Sequence, residues 1–324
     1  MRLPTRLLAA ALLPFAFACD GGEPKAAPSA SGEPAPRIAV IPKGTTHVFW
    51  KAVEQGARTG GQSAGVEVLW KGPLQENDRA QQIQVVQQFI ADEVDGIALA
   101  PLDHSALVPV VAQAKSKNIP VVIFDSDLDG EAGRDFVSFI ATDNEQGGRM
   151  AGAELARRLG GKGKAVMLRY NVGSASTEAR EKGFLAAAKE GGLEVTVDNR
   201  YAGATAGEAK TAALNLIDAI REAQGVFCSN ESATNGMLLA LEQIGLAGKV
   251  EFVGFDASPP LVAALRDGRI GALVVQDPRK MGRLSVEALA KKLRGEPVEP
   301  KVDTGAVLVT RENMTTPEIA PLLE

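Results

Sequence analysis

Apolar and polar positions alternate along the chain in blocks that predict strands and helices by turns. A short run of apolar, mostly β-branched residues at 38–41 ends in a turn and is followed by an amphipathic segment of helical length at 47–64. Within 78–91, apolar residues recur every three to four positions, as on the buried face of a helix. Repeated strand, turn and helix units are typical of parallel strands with helices on both faces of the sheet.

The units form two successive series, so we predict an α/β fold with two similar doubly wound parallel-sheet, Rossmann-like lobes. The second series begins near Asp143, and two late strands on either side of a helix could return the chain to the first lobe and back. The predicted strands are 38–41, 66–70, 96–99, 121–124, 136–140, 164–168, 193–197, 225–228, 250–253, 271–276 and 302–309. The predicted helices are 47–64, 78–91, 105–117, 144–159, 175–190, 207–222, 232–243, 258–266 and 279–293.

The amino terminus has the layout of an export signal. Two arginines precede an apolar run at 7–18 that is too short to span a membrane in the mature protein, which predicts a signal peptide over 1–18. Because this run ends at Cys19, it resembles a bacterial lipoprotein signal, in which that cysteine is lipidated. Ordinary secretory cleavage is the alternative. Asp20 resembles the inner-membrane retention signal of enteric bacteria.

Residues 19–36 are rich in Gly, Pro, Ala and Ser, which predicts a flexible tether that holds the body of the protein near a membrane. The second cysteine, Cys228, lies in an apolar run and is expected to be a buried free thiol. With Cys19 lipidated, no intrachain disulfide can form.

The composition excludes several classes of function. The formal net charge is −5 and no basic stripe occurs, which argues against a nucleic-acid surface. His47 and His104 are the only histidines, so the usual zinc ligands are too few for a metal cluster, and we predict no metal and no cofactor.

The first strand leads into a corner that we predict to be part of a ligand site. Lys43, His47, Phe49 and Trp50 follow strand 38–41, and in an open α/β sheet small molecules bind at the carboxyl ends of the strands. The alternative is that Phe49 and Trp50 only form the buried face of the first helix.

Polar residues also follow the later strands. Carboxylates and amides bind the hydroxyls of a sugar or polyol, and an aromatic ring can cover its apolar face. Any single polar residue at a strand end could instead cap a helix or form a turn, particularly Ser126, Asp143 and Asn144. Polar residues recur at nearly every strand end, however, and this recurrence favours a common site. These strand-end residues are Asp125, Ser126, Asp127, Thr142, Asp143, Asn144, Asn171, Asn230, Glu231, Phe255, Asp256 and Gln276.

Taken together, seven segments resemble the type I periplasmic binding proteins of the ribose-binding group. They are IAVIPKGTTHVFWK (38–51), IPVVIFDSD (119–127), IATDNEQGGRMAG (140–152), STEAREKGF (176–184), VFCSNE (226–231), VGFDASP (253–259) and VVQDPRKMG (274–282). The resemblance implies a ligand enclosed between two lobes joined by hinge crossings near Thr142, Gln276 and Gly305. It implies an N-terminal lobe of 37–142 and 277–305, and a C-terminal lobe of 143–276 and 306–324.

The implied function is that of a non-enzymatic, monomeric binding lipoprotein of the periplasm. It would bind a monosaccharide or polyol and deliver it to an ABC permease in the inner membrane. The family's sugar-contacting positions correspond to His47, Phe49, Trp50, Asp125, Asn230, Asp256 and Gln276.

The chain departs from the ribose group at three places, which puts ribose itself in doubt. Ser126 and Glu178 stand where that group has arginines, although Arg180 is near, and 202–206 lacks an aromatic residue.

Other functions stay open at this point. Lys43, Asp125 and Glu178 also match the autoinducer-2-binding relatives of the group. A sensor or chemoreceptor partner and a secreted enzyme are further alternatives, whereas a transcription repressor is disfavoured because the leader stands where a DNA-binding domain would be.

Overall fold

A computed structural model describes residues 34–323 of the protein. The predicted signal peptide, Cys19 and most of the tether lie outside these residues. Within 34–323, no helix is both long and apolar enough to cross a membrane.

Twelve strands and ten α-helices alternate through the described residues. The strands are β1 (Arg37–Ile41), β2 (Glu67–Trp70), β3 (Gly96–Leu99), β4 (Val121–Phe124), β5 (Ser138–Ala141), β6 (Gly163–Arg169), β7 (Leu193–Tyr201), β8 (Gly225–Cys228), β9 (Glu251–Phe255), β10 (Ala272–Gln276), β11 (Lys301–Asp303) and β12 (Ala306–Val309). The helices are α1 (Val48–Ala64), α2 (Arg79–Ala91), α3 (Val108–Ser116), α4 (Asn144–Arg158), α5 (Ala175–Glu190), α6 (Ala206–Leu214), α7 (Ile217–Glu222), α8 (Glu231–Gln243), α9 (Pro259–Asp267) and α10 (Pro278–Leu293).

The strands form two six-stranded sheets with the same order, which confirms the two doubly wound lobes. The first sheet is β11-β5-β4-β3-β1-β2 and the second is β12-β10-β9-β8-β6-β7. In the first sheet β2 lies at the edge beside β1, and β3 lies on the other side of β1. In the second sheet β7 and β8 lie on the two sides of β6 in the same way, so the strand order reverses between β1 and β3 and between β6 and β8. Ligands of open α/β sheets bind at such switch points.

The structure differs from the sequence prediction in the late strands. The predicted strand 302–309 is two strands in different lobes, because the chain leaves the strand conformation at Thr304 and Gly305, where Gly305 has φ +82°. The second of them, β12, is antiparallel to β10, so the second sheet is mixed rather than wholly parallel. Strand β11 pairs in parallel with β5 in the other lobe.

Two predicted helices are also shorter than expected. The segment 207–222 contains two helices, α6 and α7, separated at Asn215 and Leu216. Helix α3 begins at Val108 instead of 105, because the side chain of Asp103 accepts hydrogen bonds from the backbone N–H groups of Ser105 and Ala106 and holds the preceding residues in a turn.

Each sheet is covered on both faces by hydrophobic side chains, as parallel sheets require. Along β1, Ala39 and Ile41 belong to the cluster on one face of the sheet, and Ile38 and Val40 belong to the cluster on the other. All four side chains are fully buried. Alternate residues of β1 therefore pack into the hydrophobic clusters on opposite faces of the sheet.

Glycines allow one helix pair in each lobe to pack with their backbones in close approach. A Cβ added to Gly282 in α10 would collide with the carbonyl oxygen of Val53 in α1, and one added to Gly148 in α4 would collide with that of Arg180 in α5. These contacts fix α1 against α10 and α4 against α5.

The chain crosses between the lobes at three places, two of which are joined by hydrogen bonds. The hydroxyl of Thr142 donates to the carbonyl oxygen of Gly305 at 3.1 Å, and the backbone N–H of Asp143 donates to the carboxylate of Asp303 at 3.1 Å. The third crossing follows Gln276 at the end of β10.

We predict that Gly282→Ala destabilises the protein by about 1–3 kcal/mol, because overpacking forces α1 and α10 apart. Denaturant titration monitored by circular dichroism measures the change. The control is Gly207→Ala in α6, where an added Cβ meets only the Thr205 hydroxyl at 3.9 Å. That variant should be as stable as the wild type or more stable by up to about 1 kcal/mol. Equal stabilities of the Gly282 variant and the wild type would contradict the close packing.

Candidate functional site

The carboxyl ends of the strands in both lobes face each other across one cleft. The space in it that no protein atom fills is about 340 Å³. Its walls combine carboxylates, cationic side chains and aromatic rings from both lobes. The lining residues are Lys43, His47, Phe49, Trp50, Glu76, Asp125, Tyr170, Ser176, Thr177, Arg180, Asn230, Glu231, Asp256 and Gln276.

Asp125 and Asp256 occupy equivalent positions in the two lobes, directly after β4 and β9. Both have left-handed backbones, with φ +61° and +68°. Each backbone N–H donates to a carbonyl oxygen of the adjacent strand, Asp125 to Ile140 at 3.1 Å and Asp256 to Val274 at 2.8 Å. A non-glycine residue in this conformation is uncommon, and such residues concentrate at functional sites. The two sheets thus present one carboxylate each to the cleft.

Lys43 is buried and links the lobes. Its ammonium group lies 3.3 Å from the carboxylate of Asp125 and donates to the hydroxyls of Ser174 and Ser176 at 3.1 and 3.0 Å. Three contacts use all three N–H donors of the lysine, and two of the acceptors belong to the opposite lobe.

Arg180 is the corresponding buried cation of the second lobe. Its guanidinium donates to Gln276 at 2.9 Å, lies 4.0 Å from the carboxylate of Asp256 and stacks 4.0 Å from the ring centre of Phe255. Gln276 donates in turn to Asp256 at 2.6 Å. Burial lowers the pKa of Arg180 and raises the pKa of Asp256. The attraction between the two charges acts in the opposite direction on both groups but does not cancel the effect of burial.

Glu76 joins three residues of the cleft, and the sequence analysis did not predict it. One carboxylate oxygen lies 2.5 Å from Nδ1 of His47 and accepts from Nε1 of Trp50 at 2.8 Å. The other accepts from the hydroxyl of Tyr170, in the opposite lobe, at 2.9 Å. The loop between β2 and α2 carries Glu76, where an acidic residue looks like part of an ordinary polar turn.

The two aromatic residues of the first corner belong both to the core and to the cleft. Phe49 and Trp50 meet edge to face with ring centres 4.9 Å apart, and Trp50 also contacts Phe124. Both side chains are buried and line the cavity. Phe49 and Trp50 therefore belong to the buried face of α1 and also form part of the cavity wall.

Helix α8 brings two residues to the second lobe's side of the cleft. Asn230 caps the helix by accepting from the backbone N–H of Ala233 at 3.1 Å, and its amide donates to Ser232 at 3.2 Å. Glu231 lies in the first turn and accepts from the backbone N–H of Phe49, across the cleft, at 3.3 Å.

Ser126 and Asn144, which could have served only in a turn or a helix cap, make hydrogen bonds that support the cleft. The hydroxyl of Ser126 accepts from the backbone N–H of Ser176 in the other lobe at 3.1 Å. Asn144 accepts from Nε of Arg180 at 2.8 Å and donates to the carbonyl oxygen of Asp125. Asp143, by contrast, caps α4 as expected by accepting from Gln146.

Asn171 and Glu178 do not line the cavity. The amide of Asn171 donates to the backbone carbonyl of Glu76 at 3.5 Å, and its side chain also forms a hydrogen bond with Tyr170. Glu178 accepts from the backbone N–H of Gly173 at 2.8 Å and lies 3.9 Å from His104, with its side chain 39% exposed. Residues two positions apart on a helix point about 200° apart, so α5 directs Arg180 inward and Glu178 outward.

The cavity contains residues that the strand-end rule did not assign. Tyr170 directly follows β6 and could have been found by that rule, which selected its neighbour Asn171 instead. Ser176 and Thr177 lie in the first turn of α5, where nothing in the sequence distinguishes them from ordinary helix-start residues. No group of His, Cys, Asp or Glu within 34–323 has the geometry of a metal site.

Comparison with known proteins relates the chain to one family over most of its length. The sequence profile described as "Periplasmic binding protein domain" matches residues 38–297. The D-ribose/D-allose-binding protein of Pseudomonas aeruginosa is 29% identical over 317 residues, which cover 96% of this chain and 98% of that protein.

Solved structures are similar over most of the chain. An ABC transporter solute-binding protein from Agrobacterium vitis with bound D-fucose is 35% identical with a TM-score of 0.85, covering 89% of this chain and 100% of the other. A carbohydrate transporter solute-binding protein from Agrobacterium radiobacter in complex with D-arabinose is 34% identical, also with a TM-score of 0.85, covering 91% and 100%.

The His47–Glu76 pair should make stability depend on pH. Burial lowers the pKa of His47, but the hydrogen bond and charge of Glu76, with Glu231 and Asp256, leave it above its ordinary 6.5. Burial raises the pKa of Glu76, but His47, Lys43 and Trp50 leave it below its ordinary 4.5. The stabilisation is therefore fully present between about pH 4.5 and 6.5. It is lost as the pH rises through the raised pKa of His47 or falls through the lowered pKa of Glu76.

We predict that His47→Gln costs about 1–3 kcal/mol of unfolding free energy near pH 6, and less as the pH rises above 7. Urea titrations of both proteins from pH 4 to 9 measure this difference. The control is His104→Gln, whose partly exposed pair with Asp129 should contribute less than about 1 kcal/mol. A His47 effect that does not change with pH would show that the pair is not charged.

Proposed function

Because the chain belongs to the periplasmic binding protein family, a family of non-catalytic transport proteins, we propose that its cleft binds a monosaccharide or polyol for an ABC importer. The observation that carries this proposal is the meeting of Asp125 and Asp256 in one cavity with Lys43, Arg180 and buried aromatic rings. Charged hydrogen-bonding groups that converge from two lobes suit a ligand with hydroxyls on all sides.

The ligands of similar proteins support this class of ligand. The relative from Pseudomonas aeruginosa is named for ribose and allose, and the two similar structures hold D-fucose and D-arabinose. All four are monosaccharides that present several hydroxyls on a compact ring. The carboxylates and amides of this cleft can bind such hydroxyls in pairs, and Phe49 and Trp50 provide an apolar surface.

Binding would be coupled to a hinge motion of the two lobes. Lys43 contacts Ser174 and Ser176, and Glu76 contacts Tyr170, directly across the cleft. A ligand can reach the cavity only when these contacts open, and it would then stabilise the closed form by touching both lobes. The closed form is what we propose the membrane permease recognises. We propose lobe boundaries at 142, 276 and 305, which the three crossings support.

We also propose that the protein acts as a monomer at the periplasmic side of the inner membrane, held by a lipid on Cys19 after removal of residues 1–18. The export signal and the tether at 19–36 support this location. Metabolic labelling with a fatty acid, in the full chain and in a Cys19→Ala variant, tests the anchor.

Binding of an autoinducer-2-type signal is the second candidate, and the buried pair of Lys43 and Asp125 favours it. The third residue of that pattern, Glu178, points away from the cavity and supports it less. A role as sensor partner would use the same closed form.

We predict that Asp125→Asn and Asp256→Asn each weaken binding of the best monosaccharide or polyol about 10- to 100-fold, because each removes a charged hydroxyl acceptor from a buried site. A thermal-shift screen identifies the ligand, and isothermal titration calorimetry measures the affinities. The control is Asp218→Asn in α7, an exposed residue that should change neither affinity nor melting temperature. Unchanged affinity in both cleft variants would place the ligand elsewhere, and a screen with no response would contradict the ligand class.

A further inference from the structure

Among the described residues, four carboxylates line the cavity, and three of them have a cationic partner there. These pairs are Glu76 with His47 at 2.5 Å, Asp125 with Lys43 at 3.3 Å, and Asp256 with Arg180 at 4.0 Å. A buried charge is costly without such a partner. The fourth carboxylate, Glu231, is therefore the one to explain.

Glu231 is 9% exposed and lines the cavity, but no cation within 34–323 forms an ion pair with it. Its Oε2 accepts from the backbone N–H of Phe49 at 3.3 Å, whereas its Oε1 has no hydrogen-bond partner in the described chain. Burial, together with the charges of Asp256 and Glu76, raises the pKa of Glu231 to about 7, against the opposing charge of His47. One acceptor oxygen thus remains available to the cavity.

The cations of the cavity cannot turn towards Glu231 without leaving other partners. All three N–H donors of Lys43 already contact Asp125 and two serine hydroxyls. Arg180 is held by Asn144, by the carbonyl oxygen of Ser229 and by Gln276. Among the described cations of the cavity, His47 is the one whose charge acts on Glu231, but its Nδ1 is held by Glu76. A cationic group of a ligand can therefore supply the counter-charge that ionised Glu231 lacks within the protein.

We infer that Glu231 binds the ammonium group of the ligand, so that the preferred ligand is an amino sugar or an amino polyol. This inference rests on the proposed function and narrows its ligand class. An ammonium group carries only donors and one positive charge, and it can donate to Oε1 of Glu231 in a charge-assisted hydrogen bond. A neutral hydroxyl at the same place leaves the carboxylate without a counter-charge. The other three pairs remain intact and bind the hydroxyls of the same ligand.

Matched ligands separate the amino class from the neutral class. We would titrate the protein by calorimetry at pH 7, where the amino groups of these sugars are largely protonated and Glu231 is partly ionised, with D-glucosamine, D-galactosamine, D-mannosamine and aminocyclitols, each beside its neutral parent. The N-acetylated amino sugars serve as uncharged controls of similar shape. At least one amino compound should bind 10-fold or more tightly than both its parent and its acetylated form.

Two variants assign the effect to one carboxylate. Glu231→Gln keeps the shape of the side chain and should weaken binding of the amino compound about 10- to 100-fold, while changing the affinity for its neutral parent less than about 3-fold. Glu178→Gln removes an acid that does not line the cavity and should change neither affinity. Melting temperatures without ligand check that both variants fold.

The possible results distinguish the two proposals. Neutral ligands that bind as tightly as their amino counterparts, or tighter, would overturn the inference and leave the proposed function standing. An amino preference that survives Glu231→Gln would overturn the role of this residue. If neither neutral nor amino compounds bind, the proposed function itself fails.

Discussion

Charged side chains buried between two lobes are stable only when they are paired, and this constraint organises the whole cleft. Asp125 has Lys43, and Glu76 has His47. Several partners come from the opposite lobe, since Lys43 also donates to Ser174 and the carboxylate of Glu76 accepts from a tyrosine across the cleft. Each ion pair lies within one lobe, and closure of the lobes adds the hydrogen bonds across the cleft, which links the polar groups of the site to the hinge.

The lobes can move as units because each is packed tightly within itself. Gly282 in one lobe and Gly148 in the other allow helix backbones to approach so closely that a single methyl group would not fit. The crossings between the lobes are joined by hydrogen bonds, such as that from Thr142 to the carbonyl oxygen of Gly305. A hinge motion of the kind we propose would turn about these crossings and would leave each sheet's half of the site in place.

A cleft whose polar groups already bond across the lobes sets a condition on its ligand. The hydroxyls of the ligand must replace contacts that the protein makes with itself, so only a ligand that satisfies both lobes favours the closed form. Glu231 differs from the other carboxylates, because its Oε1 makes no hydrogen bond within the described chain that a ligand would have to replace. A charged donor at that oxygen adds a contact without breaking one, and this residue is therefore where the cleft can discriminate between otherwise similar ligands.

The two lobes and the position of Asp125 and Asp256 at strand ends are encoded in the local pattern of the sequence. Alternating blocks predict parallel strands, and the carboxyl ends of parallel strands meet at one edge, so the pattern predicts that each aspartate lies at the binding edge of its sheet. The entry of Glu76 from a loop and the inward direction of Arg180, rather than Glu178, depend on the tertiary structure. Loop paths and helix rotation depend on packing between distant segments, such as that of α5 against α4, and local patterns of polarity do not encode them.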